Sequence, residues 1–97
     1  MKYSLHPEAE GDLREAAAFY RERADSVLSQ ALLGEFERSV AILLRHPALG
    51  ALWRYGKRRY SMKRFPYSLI YTVAGEEIRI LAVAHHSRRP GYWRARK

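Results

Sequence analysis

Apolar residues recur at helical spacing in the first half of the chain. The first apolar stripe consists of Ala9, Leu13, Ala16, Ala17 and Tyr20, with Phe19 beside it. Pro7 suits the first turn of a helix, where its missing N–H costs nothing, and acidic residues follow at the positive end of the helix dipole. The pattern therefore predicts an amphipathic helix that begins at Pro7.

A second apolar stripe follows after a polar break. Its members are Leu28, Leu32, Phe36, Val40, Leu43 and Leu44, widened by Leu33 and Ile42. Either Asp25 or Ser26 can cap this helix. We expect it to end near Arg45, because the residue before Pro47 disfavours helical angles, and Gly50 completes the turn. Two amphipathic helices joined by a short break predict an antiparallel helical hairpin.

The second half of the chain changes to the pattern of strands. Residues 67–73 are rich in β-branched and aromatic side chains, and residues 78–84 are apolar on both faces toward their end. Residues 74–76 between them have the composition of a tight turn. Together with an aromatic and basic stretch over residues 53–64, which bends at Gly56, they predict an antiparallel meander of three strands.

These elements predict an α+β fold in one domain over residues 1–97. A short N-terminal strand over residues 2–6 precedes the helical hairpin, and three strands follow it. We expect the hairpin to pack on one face of a small antiparallel sheet that also contains the N-terminal strand. The helices then leave the second face and the strand ends to the basic residues.

Composition narrows the class of protein. The 97 residues are 47% hydrophobic and 29% charged, which is ordinary for a globular protein. The chain has no cysteine, which excludes disulfides, and its N-terminus lacks the apolar core of a signal peptide. No apolar run approaches the ~20 residues that span a bilayer, so we expect a cytoplasmic protein with no membrane partner.

Charge is unevenly distributed along the chain. Residues 1–50 hold six Lys and Arg against eight Asp and Glu, whereas residues 51–97 hold twelve against two. The two halves therefore carry −2 and +10, which gives the net charge of +8. Such asymmetry predicts an anionic partner for the second half, either nucleic acid or an acidic protein surface. The alternative is a basic face that only keeps the protein soluble.

Several short segments of the chain are individually common, but their combination and order along the chain are specific. They are His6-Pro7-Glu8-Ala9 with Asp12-Leu13, Leu43-Leu44-Arg45-His46-Pro47 with Gly50, residues 59–71, residues 78–85, and a basic stretch with Tyr92-Trp93. Over nearly the whole chain this ordered set resembles the RelE/ParE toxins of type II toxin–antitoxin systems.

The resemblance implies a toxin that is held in a hetero-oligomer by a cognate acidic antitoxin. ParE-like members bind and inhibit DNA gyrase and are not enzymes, and such pairs are associated with plasmid stabilization. RelE-like members are endoribonucleases that cut mRNA on the ribosome. A third alternative is a non-toxic module that binds antitoxin or nucleic acid. None of the three implies a cofactor.

Cleavage of RNA through a 2′-hydroxyl needs a base, an acid and cations for the developing charge. By resemblance to RelE-like nucleases, these roles would fall to Arg59, Lys63, Arg88 and Tyr92, and less readily to His85. The resemblance also places an arginine where this chain has Ser68, and Arg59 stays charged rather than exchanging protons. We therefore assign no catalytic residue and favour the ParE-like branch.

Histidine is the residue type that titrates near neutrality. His85 and His86 are adjacent, and neighbours on a strand point to opposite faces, so both cannot serve one site unless the strand has ended. With His6 and His46 they make four histidines, whose spacing does not predict a metal site.

Basic and aromatic residues of the second half make up the predicted target-binding surface. Its members are Arg58, Arg59, Lys63, Arg64, Arg88, Arg89, Tyr92, Trp93 and Arg94. Arginine forks bind phosphate or carboxylate, and aromatic rings anchor interfaces. The alternative for the C-terminal stretch is a tail whose Tyr92 and Trp93 simply pack back on the sheet, which would still leave its arginines in water.

The basic run over residues 54–64 is predicted to lie on a strand, where alternation divides it between two faces. The first face holds Arg54, Arg58 and Arg64, and the second holds Lys57, Arg59 and Lys63. The alternative is an edge strand whose charges only prevent aggregation.

The helical hairpin is more apolar than a small sheet can cover. Phe19, Leu33 and Leu44 lie at the margins of its stripes and are the predicted antitoxin contacts. Antitoxins of this family resemble flexible chains that lay a helix or strand across the toxin. An acidic antitoxin would match the positive second half and associate with it faster.

Overall fold

The computed structural model describes all residues, 1–97. In chain order the elements are β1 (Lys2–Leu5), α1 (Pro7–Arg23), α2 (Ser26–Arg45), β2 (Ala51–Leu52), a 3₁₀ turn (Arg54–Gly56), β3 (Arg58–Ser61), β4 (Tyr67–Ala74) and β5 (Glu77–His85). Two helices thus follow the first strand and precede the others, which confirms the α+β class. Neither helix is long and apolar enough to cross a bilayer.

Local capping explains where the two helices begin and end. Pro7 occupies the first turn of α1, as its fixed φ favours. At the start of α2 the backbone N–H of Leu28 donates to Asp25 Oδ1 at 2.7 Å, so Asp25 rather than Ser26 is the cap. Helix α2 ends at Arg45, immediately before the His–Pro pair.

The five strands form one sheet in the order β1-β5-β4-β3-β2. All neighbours are antiparallel except β1, which pairs in parallel with β5. The predicted antiparallel meander is confirmed as β3, β4 and β5, and the N-terminal strand joins the same sheet as expected. The sheet as a whole is mixed rather than antiparallel, because β1 is parallel to β5, and the two-residue β2 adds a fourth strand after the hairpin. The helical hairpin connects β1 at one edge of the sheet to β2 at the other edge. From β2 each following strand reverses direction, so that β5 runs parallel to β1 when it reaches its side.

The basic run is not the single strand that was predicted. The 3₁₀ turn interrupts it, with Tyr55 at φ 61° and Gly56 at φ 73°, and β3 covers only Arg58–Ser61. Lys63 and Arg64 lie in the bend between β3 and β4. Two successive residues in the left-handed region reverse the chain, so the predicted alternation applies only within β3.

One face of the sheet packs against both helices, and we call it the helix-covered face. Its core cluster contains fifteen buried residues: Ala9, Ala16, Ala17, Leu32, Phe36, Val40, Leu43, Met62, Phe65, Tyr67, Leu69, Tyr71, Ile78, Ile80 and Val83. Leu81 is an extra residue in β5, since Tyr71 pairs with Ile80 and Ile70 with Ala82. This bulge shifts the alternation and keeps Val83 on the same face as Ile80.

The opposite face, which we call the helix-free face, has a second and smaller buried cluster. It consists of Ile70, Ala82 and Ala84 from the strands together with Trp93 from the end of the chain. No helix covers these residues. The cover comes instead from residues 86–97, the C-terminal tail, which folds back on the sheet in a series of turns.

Candidate functional site

The tail is anchored on the helix-free face by Trp93, which is only 1% exposed. Trp93 was predicted to contact a target, and this is wrong, because its ring packs with Ile70 and Ala82 and leaves almost no surface for a contact. For Trp93 the alternative of a tail that packs back on the sheet is confirmed. Arg88, Arg89 and Arg94 on the same tail remain exposed, as expected.

Asp12 of α1 fastens the tail a second time. Its Oδ2 accepts hydrogen bonds from Arg96 Nη1 at 2.7 Å, from the Tyr92 hydroxyl at 3.2 Å and from the backbone N–H of Val83 at 3.1 Å. Arg96 Nη1 also donates to the carbonyl of Leu81 at 3.0 Å. The side chains of Asp12 and Arg96 are only 10% and 11% exposed, so this ion pair is largely shielded from water.

Between the tail and β3 lies a cleft of about 220 Å³, which we call the basic cleft. Its lining residues are Trp53, Arg59, Ser68, Ile70, Ala84, His85, His86, Arg88, Arg89, Pro90, Tyr92 and Trp93. The lining contains three arginines and no carboxylate. A low-dielectric wall with charge of one sign concentrates a positive potential in the cleft.

A hydrogen-bond network organises the floor of the basic cleft around Ser68, which is 1% exposed. Arg59 Nε donates to Ser68 Oγ at 3.2 Å, since a guanidinium has no acceptor. The Ser68 hydroxyl also contacts His86 Nε2 at 2.9 Å and Ser61 Oγ at 3.2 Å. Because Arg59 is held through Nε, its two terminal nitrogens are left for a ligand.

Arginines stack on aromatic rings across the helix-free face. The guanidinium carbon of Arg88 lies 3.9 Å from the centroid of the Tyr92 ring, and that of Arg59 lies 4.8 Å from the centroid of Trp53. Arg94 lies over Tyr55 at 5.7 Å and donates to its hydroxyl at 3.2 Å. Such stacking holds flexible arginines in place while their charge stays exposed.

Only one of the twelve Lys and Arg residues in the second half forms an ion pair, and that residue is Arg96. Arg96 pairs with Asp12 and Glu8 of α1. The other eleven cations have no Asp or Glu side chain within 4.0 Å. No Asp or Glu of the chain therefore neutralises the charge of the basic cleft.

The titratable groups of the site differ in what they can do near neutral pH. Partial burial of the ring and the nearby charge of Arg59 lower the pKa of His86, whose Nε2 end lies against Ser68. Burial and the charge of Asp12 raise the pKa of Tyr92 to about 12. Tyr92 therefore stays protonated near neutral pH, and its hydroxyl donates a hydrogen bond to Asp12.

The predicted site residues divide into those at the cleft and those elsewhere. Arg59, Arg88, Arg89 and Tyr92 line the basic cleft. Lys63 and Arg64 do not line it, although their bend lies at the same end of the sheet, where the N–H of His86 donates to the Pro66 carbonyl at 2.8 Å. Arg94 is exposed beside Tyr55 on the helix-free face.

Arg58 does not join these residues, because its guanidinium serves the connection between α2 and β2. Its Nη1 donates to the carbonyl of Gly50 at 2.8 Å and to that of Ala48 at 3.2 Å. We therefore remove Arg58 from the predicted target-binding surface and give it a structural role.

The two adjacent histidines point to opposite faces, as alternation predicts. The ring of His85 packs edge-on against Tyr67 with centroids 5.0 Å apart, and its Nδ1 accepts from the N–H of Ser87 at 3.0 Å. His86, in contrast, reaches Ser68 in the basic cleft. His85 also lines the cleft, but of the two rings only that of His86 bonds to Ser68, and this choice depends on the bulge at Leu81.

The remaining parts of the site were not predicted from the sequence. In the sequence Ser68 is only a departure from a nuclease pattern, and Trp53 is only part of an aromatic stretch. The role of Asp12 has no local signal, because Arg96 lies 84 positions away. Nowhere in the chain do three His, Asp or Glu side chains gather to hold a metal ion.

The predicted antitoxin contacts lie on the helical side of the molecule. Phe19 is 47% exposed and lines a groove of about 270 Å³ between α1 and the end of β5, together with Asp12, Glu15 and Arg88. Leu33 and Leu44 are half-buried on α2 and pack against the main core. They do not line this groove, so the three residues do not form one pocket.

Comparison with known proteins identifies the family. No curated protein sequence matches the chain. A sequence model of the "ParE toxin of type II toxin-antitoxin system, parDE" matches residues 3–90. A solved structure, "Chromosomal ParDE TA system from P. aeruginosa", shares the fold with a TM-score of 0.78 at 22% identity, over 88% of this chain and 95% of that chain. Since the family model spans nearly the whole sequence, the chain belongs to the ParE toxin family of type II toxin–antitoxin systems.

Proposed function

We propose that this chain inhibits DNA gyrase by binding to it through the helix-free face, without catalysing a reaction. The observation that carries the proposal is the group of three arginines that line the basic cleft without Asp or Glu partners, of which Arg59 and Arg88 stack on aromatic rings. Arginines and aromatic rings held in this way are typical of the residues that dominate binding energy at interfaces. The proposal places the protein in the cytoplasm with its target.

The chemistry of the site supports binding rather than RNA cleavage. Tyr92, the late tyrosine of the nuclease pattern, keeps its proton because its pKa is raised to about 12. Ser68 stands where RelE-like nucleases carry an arginine, and it is already hydrogen-bonded to Arg59 and His86. The site therefore has cations for a developing charge but lacks a matched acid and base.

An acidic antitoxin fits the same picture as the neutralising partner. A flexible acidic chain that crosses the second half of the toxin would cover charge that the toxin itself leaves uncompensated. The groove beside Phe19 reaches Arg88 at the edge of the basic cleft, so one partner can occupy both. We infer a toxin–antitoxin hetero-oligomer with Phe19, Leu33 and Leu44 among its contacts.

One observation favours ribosome-dependent mRNA cleavage as a second candidate. His86 titrates below its ordinary range, faces the basic cleft and lies beside Arg59, so it can exchange a proton near a bound phosphate. A lone histidine supplies one of the two proton transfers that RNA cleavage needs. This candidate therefore ranks below gyrase inhibition.

Induction of the chain in cells without an antitoxin separates the candidates. We expect relaxation of a reporter plasmid and DNA-damage signalling while transcripts stay intact. Early translation arrest with cut transcripts would instead establish the nuclease. If neither effect occurs, the chain is a non-toxic binding module.

The double variant Arg88→Ala/Arg89→Ala is expected to lose toxicity and keep the circular-dichroism spectrum of the parent. Killing by a folded double variant would place the site elsewhere.

A further inference from the structure

We propose that the basic cleft binds a phosphodiester of DNA, so that the toxin contacts the DNA held by its target as well as the target protein. The inference rests on the proposed function for the source of that DNA. The cleft itself, its donors and its charge are properties of this chain alone.

The donors of the basic cleft surround an oxyanion from several sides. Arg59 reaches it from β3, with Nε fixed on Ser68 and both terminal nitrogens unused. Arg88 and Arg89 approach from the tail, and His86 follows the end of β5. A tetrahedral phosphate presents oxygens in all these directions, whereas a carboxylate offers two oxygens in one plane.

The positions of two of these arginines, Arg59 and Arg88, are set before a ligand arrives. Arg59 is held by a hydrogen bond to Ser68 and by stacking on Trp53, and Arg88 is held by stacking on Tyr92. Tyr92 is in turn tied to Asp12. Arginines that are already ordered lose less conformational freedom on binding, which favours a geometrically matched ligand.

The charge around the cleft continues beyond it in a way that suits a polyanion. Arg54 and Arg94 are exposed on neighbouring segments, stacked on Trp53 and Tyr55, and the cleft lining has no carboxylate to repel phosphate. A nucleic-acid backbone repeats its charge at short intervals, so several cations can be engaged at once. A protein partner has no such requirement for repeated charge.

The test measures binding of the purified, full-length chain to a duplex and to a single strand of the same DNA sequence over a range of salt concentrations. We expect both DNAs to bind. Arg59→Ala should reduce the slope of log Kd against log salt by about one. Arg88→Ala/Arg89→Ala should reduce it by about two and weaken binding at low salt at least ~10-fold. Competition by polyglutamate at equal charge should be much weaker than competition by DNA.

Matched variants separate the cleft from overall charge. Arg45→Ala and Arg21→Ala/Arg45→Ala remove the same charges from exposed helix positions outside the cleft and should leave the slope nearly unchanged. Ser68→Ala keeps every charge but frees Arg59, so we expect a lower affinity with an unchanged slope. Equal losses in cleft and control variants, competition by polyglutamate equal to that by DNA, or no DNA binding at low salt would overturn the inference.

The same preparations distinguish this inference from the proposed function. Gyrase inhibition by a wild-type chain that does not bind DNA would refute DNA binding and leave gyrase as the target. DNA binding through the cleft by a chain that leaves gyrase active would refute the gyrase proposal and retain the DNA site.

Discussion

The two faces of the sheet are built from the same strands but have different roles. On the helix-covered face, Leu69 is fully buried in an apolar cluster of fifteen residues contributed by both helices and the sheet. Its neighbour Ser68 is equally buried on the helix-free face, where it is surrounded by hydrogen-bonding groups. One face therefore carries most of the apolar core, and the other holds polar and charged groups in fixed positions.

The difference shows how a small protein exposes arginines without losing their positions. The helix-free face has a buried cluster of only four residues, and its tail is held by Trp93 and by the pairing of Asp12 with Arg96. Those few contacts fix the segment that carries Arg88 and Arg89.

Trp93→Ala is expected to have the largest effect, because it removes the only large side chain of the small cluster contributed by the tail. Truncation of a buried tryptophan costs about 3–5 kcal/mol. Urea denaturation followed by circular dichroism measures the change in free energy of unfolding. Trp93→Phe should recover most of the loss; an alanine variant as stable as the parent would show that the tail does not pack on the sheet.

Arg96→Ala should have an intermediate effect, since it leaves the shielded carboxylate of Asp12 without its cation. Loss of hydrogen bonds to a charged group costs about 1.5–3 kcal/mol. Amide hydrogen exchange should also show faster exchange in residues 88–96 than in the helices. Arg94→Ala, two positions away and exposed, is the control and should change stability by less than about 0.5 kcal/mol. If the two substitutions lowered the free energy of unfolding equally, the ion pair with Asp12 would not be what anchors the tail.

Glu35 makes the helix-covered side sensitive to acid. Its carboxylate accepts from Arg38 and, at 3.0 Å, from the backbone N–H of Lys63, and these contacts lower its pKa below the ordinary value of 4.5. A lowered pKa in the folded state contributes stability above pH 4.5, and this contribution is lost as the pH falls through the folded-state value.

Glu35→Gln should therefore flatten the fall in unfolding free energy between pH 7 and pH 3, measured by urea denaturation at each pH. Glu37→Gln is the matched control, because Glu37 is exposed and forms no ion pair. If both variants lose stability in acid as steeply as the parent, the contact between α2 and the β3–β4 bend does not contribute as described.

The smallest change in stability is expected for the two arginines that we propose contact the target. Arg88 and Arg89 are exposed, so replacing both with alanine should change the free energy of unfolding by less than about 0.5 kcal/mol per site. Thermal denaturation of the double variant measures this. A large loss of stability would mean that these side chains hold the tail in place rather than serve a partner.

The fold could be predicted from the sequence wherever local signals decide the structure. Helix periodicity, the cap at Asp25 and the His–Pro pair defined the hairpin, and β-branched residues marked β4 and β5. The parallel pairing of β1 with β5 was missed, because it depends on how the hairpin crosses the sheet. The basic run was misassigned to one strand, because a tyrosine in the left-handed region gives no composition signal.

The site was predictable only in part, for the same reason. Charge asymmetry and resemblance identified Arg59, Arg88 and Arg89, which do line one cleft. The buried position of Trp93 and the pairing of Asp12 with Arg96 depend on contacts between distant residues. No pattern in the sequence distinguishes a tryptophan that anchors a tail from one that contacts a partner.

Inhibition of gyrase supercoiling by the purified chain tests the central claim most directly. Arg88→Ala/Arg89→Ala and Arg21→Ala/Arg45→Ala remove the same charge, the first at the basic cleft and the second from the helices. We predict that the helix variant inhibits like the parent and that the cleft variant is weaker by at least about 10-fold, as the loss of interface arginines implies. Equal inhibition by both folded variants, or no inhibition by the parent, would contradict the account.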